Sequence, residues 1–326
     1  MKKIVSISSF LFLLYACSTS DSSTEVATVT LSIEKELGQL SDNSYIADIR
    51  SMDFKDNQFY LADYTRNELL VLSEDLVLKN TIGNGGEGPG EFRGAGSITV
   101  SDDFIYAVND GKQTVEVFKG DIHIKTINPQ IMLGGGTSLR FGVIKDTFYF
   151  SDPESQNSIS QFTSDHKISS FGEIHKFPNL SQTLLQNYTH VLMHSNGMIS
   201  ISDNLPVITF YDLNKNKLST LDYSDIPIIQ EHMDFLERNP TEENSYYILA
   251  TDAHVFSDTL YVLLTLQSDK GPVSNKVLEI KVNKNGELLI TRILDLGEGW
   301  FTALCANKTD LLSFNTSTGN LMKFQL

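Results

Sequence analysis

Cysteine is nearly absent from this chain. Two in 326 residues, Cys17 and Cys305, leave no basis for a disulfide framework. Excess positive charge is also missing: 25 Lys and Arg stand against 41 Asp and Glu, and a formal charge of -16 repels a phosphate backbone, which argues against nucleic acid as a partner. The seven histidines form no H-x-H or H-E-x-x-H pair. His190 and His194 are four apart in a segment that reads as strand, where that spacing separates them, so a zinc site is not expected. Nor is there a long hydrophobic run. The apolar stretch at residues 4–15 is too short to cross a bilayer as a helix.

That short stretch nevertheless has a reading. Lys2 and Lys3 precede it, and Leu14-Tyr15-Ala16-Cys17 closes it, so residues 1–16 read as a cleavable export signal. Ala16 offers the small side chain that a processing enzyme needs at the cut, and the Cys17 thiol is the nucleophile that accepts a lipid. The pattern resembles the bacterial lipobox, with Tyr15 departing from the small residue usual there. The alternative is an ordinary secretory signal in which Cys17 is incidental. Small and polar residues at 18–24 suit a tether, giving a lipidated cysteine and linker over 17–25. Several acyl chains on one cysteine would make the anchoring stable, whereas a single chain binds only marginally.

Residues 26–326 carry an internal repeat. A strand, a turn with Asp, Asn or Gly, a strand with an aromatic or aliphatic pair, a polar turn and a further alternating strand recur around Tyr60, Tyr106, Tyr149, Ile199, Tyr261 and Leu312, every 43 to 62 residues. Each copy holds about four short strands of period-two alternation, punctuated by turn signals such as Asn196-Gly197 and Asn285-Gly286. One such sheet cannot bury both its faces alone, but six arranged radially can. The expected fold is therefore all-β: a six-bladed β-propeller of four-stranded antiparallel blades, monomeric. The last copy is one strand short. The β-rich segment 26–34 is expected to supply that strand beside residues 320–326 and close the ring, removing two sheet edges.

Between the first two copies lies Gly88-Pro89-Gly90-Glu91-Phe92, preceded by Ile82-Gly83-Asn84-Gly85-Gly86-Glu87. This connector resembles that of the six-bladed propeller lipoproteins common in Bacteroidetes, which are similar to NHL-type and TolB-like propellers. The resemblance implies the propeller fold and a location in the cell envelope, lipid-anchored at the outer membrane on its periplasmic or surface-exposed side. It implies no reaction. As a structural loop, the glycines permit backbone that other residues avoid and Pro89 stiffens the turn. A phosphate cradle is disfavoured because no helix follows, no Gly-Lys-Ser/Thr is present, and Glu87 and Glu91 would repel the ligand.

Propeller ligands usually sit at a mouth of the central channel, lined by residues near the starts of the innermost strands. By the repeat these are Asp48 and Arg50, Arg93, Arg140, His190, Asp252, and Trp300 with Thr302. Arg50, Arg93 and Arg140 would form a positive funnel for a carboxylate or sulfated group if they converge, or inter-blade ion pairs with Asp48, Glu91 or Asp252 if they do not. Other six-bladed propellers, such as calcium-dependent lactonases, hold Ca²⁺ across the channel with Glu, Asn and Asp. Asp48, Asn187 and Asp252 are the candidates for such a set here. No nucleophile or paired-carboxylate motif is evident, so catalytic residues are unassigned. Cys305, in an apolar setting, reads as a small core residue. The longest departure from the repeat, residues 223–247, shows helical spacing through Ile229, Met233, Phe235 and Leu236, ended by Asn239-Pro240. Two functions fit: an envelope module that binds a protein or glycan, or a channel-mouth Ca²⁺-dependent hydrolase or lactonase.

Overall fold

The computed structural model describes residues 26–133, 138–163 and 166–326. The export signal, Cys17 and the tether lie outside the described residues. The chain is a six-bladed β-propeller, each blade a four-stranded antiparallel sheet in a ring, with a fifth strand added to one blade. The innermost strands are Ile49–Lys55, Ala95–Ser101, Gly142–Ile144, Thr189–His194, Ala250–Phe256 and Phe301–Ala306, in chain order from blade one to blade six.

Alternation explains how the blades pack. In blade five the second strand, Thr259–Leu266, is apolar on both faces. Leu260, Val262 and Leu264 enter the core shared with blade four, while Tyr261 and Leu263 enter the core shared with blade six. Hairpin turns hold the register. Asp56 and Asn57 both take positive φ, 50° and 59°, between Ile49–Lys55 and Gln58–Asp63, which is the backbone hand that a two-residue hairpin needs.

The ring is closed by an N-terminal strand, Ile33–Leu37, which pairs antiparallel with Asn320–Gln325 as the outer strand of blade six. The register corrects the sequence expectation. The segment 26–34 is divided: Thr28–Thr30 runs parallel to Leu288–Asp295 as the extra strand of blade five, and the closing strand begins only at Ile33. Leu31 turns into the core between these two blades, so one segment covers the outer edges of both.

The glycine-rich connector wraps around Phe92, 1% exposed and packed between blades one and two. Gly83 and Gly90 take φ of 75° and 74°, and a side chain at Gly83 would strike the Phe92 ring. Glu91 accepts the Gly88 amide at 2.6 Å, which with the Asn84 side chain holds its carboxyl below the usual range. Lys112 Nζ donates to the carbonyls of Gly88 and Glu91. Residues Pro227–Arg238 form a helix, α1, where the repeat is interrupted. It buries Ile229 and His232, and Met233 packs against the same core.

Candidate functional site

The positions singled out along the channel lie within two residues of the starts of the six inner strands, yet their side chains do not gather into one site. Arg50 pairs with Asp48 at 2.9 Å, stacks over the Tyr64 ring at 4.9 Å and is 41% exposed. Arg93 pairs with Glu87, rather than Glu91, at 3.3 Å, out in solvent. Only Arg140 enters the channel. Trp300 is half-buried, its backbone amide donating to Ser317 Oγ, and Thr302 Oγ1 donates to the Ile49 carbonyl.

Arg140 is 2% exposed and ties the whole ring together. Its Nε and Nη2 donate to the two oxygens of Asp252 in blade five at 2.6 and 2.9 Å. Nη1 donates to the carbonyls of Met52 in blade one and Ile98 in blade two, and Nη2 also to Leu304 in blade six. Its backbone joins blade four, the amide donating to His190 Nδ1 and the carbonyl accepting from Val191. A guanidinium has five N–H groups, and here there are five acceptors. Burial opposes the charge, but the Asp252 carboxylate outweighs it and leaves the Arg140 pKa above its ordinary value. Nothing remains of this side chain to offer a ligand: of the two alternatives, a positive funnel or inter-blade ion pairs, Arg140 takes the second, with Asp252.

The calcium set dissolves for the same reason. Asp252 spends both oxygens on Arg140, and one of them also accepts the Leu304 amide. The Asn187 oxygen accepts the His175 amide while its nitrogen donates to the carbonyls of His175 and Thr183. Asp48 holds Arg50. Among the described residues no group of three or more His, Cys, Asp and Glu is placed to hold a metal ion. His190, fully buried, is likewise committed: with Nδ1 accepting from Arg140, the proton is on Nε2, which bonds the Ala250 carbonyl at 2.9 Å.

Where the inner strands end, a cavity of about 200 Å³ opens beneath Arg140 between Asp53, Thr99, Val143, Met193 and His254. Asp53 and His254 line it and the buried Cys305 lies behind His254, a trio that sequence reasoning did not assemble. Burial raises the Asp53 carboxyl, but the bond to His254 and the Val100 amide outweigh it and hold its pKa low. The trio resembles a nucleophile with its base, and its geometry forbids that chemistry. The Ala306 amide donates to His254 Nδ1, which puts the ring proton on Nε2, and that N–H faces Asp53 Oδ1 at 3.1 Å. Cys305 Sγ, 3.5 Å away, flanks the same protonated nitrogen, so no lone pair is free to take its proton. Burial pushes the thiol well up, leaving it unreactive.

A second cavity, about 380 Å³, lies outside the channel, between blades three and four. Its floor is made of buried hydroxyl residues, Ser158, Thr189, Ser200 and Tyr211, and its rim carries Glu173, His175, Lys217 and Asp222.

No protein-family model matches the chain, and no curated protein matches it as a relative. Solved structures do share its shape. A Bacteroides fragilis protein described as exported superposes with a TM-score of 0.58 at 12% identity, over 91% of this chain and 98% of that one. The WD40 propeller domain of Doa1 reaches 0.53 at 11% identity, over 90% and 96%. Virginiamycin B lyase of Staphylococcus aureus reaches 0.50 at 10% identity, over 90% and 98%. At such identities the likeness is one of fold alone.

Proposed function

We propose that the chain is an envelope-anchored propeller lipoprotein, held to the membrane by lipid on Cys17, that serves as a binding or scaffold module for a protein or glycan. The observation that carries this reading is the saturated guanidinium of Arg140. A propeller that acts on a substrate at its channel needs unspent polar groups there, and here the central arginine, aspartate and histidine are used to hold blades together. The Leu-x-Ala-Cys sequence and the polar residues after it support the anchor. The extra strand at Thr28–Thr30 begins eleven residues after Cys17, so the ring would sit close to the bilayer and meet partners in the same envelope layer.

Two outcomes follow. The full chain expressed in a bacterial host should partition into the detergent phase of a Triton X-114 extract and incorporate an alkyne-labelled fatty acid, and Cys17→Ser should abolish both. An unlabelled wild-type chain in the aqueous phase would remove the anchor. For the calcium-dependent reading, Ca²⁺ or EDTA should leave the melting midpoint unchanged, because a cation that binds only the folded state must raise it. A Ca²⁺-dependent rise would restore the hydrolase alternative.

A further inference from the structure

The two faces of blade four differ in polarity. Its second strand, Gly197–Ser202, reads Met198-Ile199-Ser200-Ile201-Ser202, and its third, Val207–Asp212, continues with Ile208 and Phe210 alternating with Thr209 and Tyr211. Ile199, Ile201, Ile208 and Phe210 are fully buried against blade five. The opposite face, turned toward blade three, is apolar where Val191, Met198 and Tyr211 meet Tyr149 and Ile159, with Met193 packed alongside. Beyond that contact it presents hydroxyls: Thr189, Ser200 and Ser202, then Thr209 and Thr220. A sheet with one apolar and one polar face normally turns the polar one to solvent. In a propeller that face has a neighbouring blade, and the two stand apart around the 380 Å³ cleft, within the range of about 300–1,000 Å³ typical of small-molecule sites.

The other large inter-blade groove shows what such a gap looks like without this feature. Between blades one and two it is walled by Tyr60, Val71, Ile82 and Ile105, and its polar groups are mostly charged side chains, with Gln58 and Asn80 and no serine or threonine. In the cleft beside blade four the polar groups form the floor. Ser158, Thr189 and Ser200 are each under 9% exposed, and the Tyr211 hydroxyl lies against Ser158, Thr209 and the Glu173 amide, its ring held edge-on by Phe171 at 5.3 Å. Asn187 grips the backbone of His175 from both sides and fixes that residue at the rim.

Charge selects the ligand. Lys217, the cation lining the cleft, is already paired with Glu173 at 2.9 Å, and Asp222, whose Oδ1 accepts the Ser224 amide, adds a further carboxylate, so an anion would be repelled. A floor of hydroxyls that both donate and accept, beside carboxylates and two tyrosine rings, is suited to a ligand rich in hydroxyl groups and without charge. We infer that the cleft between blades three and four binds a neutral saccharide of one or two rings, with Thr209, Ser200 and Tyr211 as its contact residues.

This assignment rests on the binding-module reading and names its ligand class. The test is a glycan array of neutral, sulfated and carboxylated saccharides probed with the full chain in detergent, followed by calorimetry on the retained sugars. The expected result is retention of neutral saccharides, with affinity lowered about tenfold in Thr209→Val, which exchanges a hydroxyl for a methyl of the same shape, and in Ser200→Ala. An unchanged melting midpoint shows that each variant is folded, and Ser200→Ala, the smaller change, serves if Thr209→Val is not. Retention of anionic sugars only, affinity unchanged in both variants, or a blank array would each overturn the saccharide site. A blank array from a chain that is still lipidated at Cys17 overturns this assignment alone, whereas sugar binding by an unlipidated chain overturns the anchor alone.

Discussion

Asp252→Asn should destabilise the protein by about 3–5 kcal/mol, because it removes the one carboxylate bonded to the Arg140 guanidinium in the centre of the ring and leaves only the more distant Asp53 as a counter-charge. The loss is large for one reason: both partners are almost completely buried, at 2% and 1% side-chain exposure, so water cannot replace the missing carboxylate. Arg140→Met should cost at least as much. It strands the Asp252 carboxylate and also withdraws donors from the carbonyls of Met52, Ile98 and Leu304. Combining Arg140→Met with Asp252→Leu should cost less than the two single losses together, since the uncompensated charge disappears and only the three carbonyls and the Leu304 amide lose their partners. Urea denaturation followed by circular dichroism measures all three variants. An Asp252→Asn protein as stable as the parent would mean that the pair does not hold the ring.

Acid should loosen the α1 region through His232. This residue is fully buried, its Nδ1 accepts the Gln267 amide at 2.9 Å, and burial pushes its pKa down to about 4. In the unfolded chain it titrates near the ordinary value of 6.5. Between these values the unfolded state binds the extra proton, so the residue's contribution to stability is complete above about pH 6.5 and is lost as pH falls toward about 4. The full span corresponds to about 3 kcal/mol. His232→Leu removes the titration, so the stability difference between parent and variant should change by that amount across the window, against a shared background from the carboxylates. Parallel pH profiles for the two proteins would show that His232 stays neutral for no energetic reason connected with folding.

Much of the fold is readable in the sequence because a propeller is written in local signals. Period-two alternation sets the strands, the Asp56-Asn57 pair turns the first hairpin at positive φ, and a last copy one strand short points to closure by the other end of the chain. The register of that closure was less legible. Residues 26–34 are uniformly β-prone, and nothing local tells that Leu31 turns inward and splits them between two blades. The site was harder still. Arg50, Arg93 and Arg140 occupy comparable places in the repeat, and the neighbours differ: Leu139 and Phe141 flank Arg140 on both sides, whereas Arg50 stands between Ile49 and Ser51 and Arg93 between Phe92 and Gly94. That apolar flank is the available sign that Arg140 goes inside. Asp53, His254 and Cys305 come from three blades, and no spacing in one chain reveals such a meeting. The cleft did have a signal, the Ile-Ser-Ile-Ser alternation of residues 199–202, which marks one apolar and one hydroxyl face.

Under the proposed function, recognition belongs to the cleft beside blade four and the centre of the ring is structural. Methyl-detected NMR of threonine- and isoleucine-labelled full chain in detergent, titrated with maltose and with cellobiose, separates the two places in one measurement. Thr209 and Thr220 report on the cleft, and Ile98, whose carbonyl Arg140 holds, reports on the channel. The predicted result is a saturable shift of the Thr209 and Thr220 methyls with Ile98 unmoved. Shifts centred on Ile98, with the cleft threonines unmoved, would contradict it.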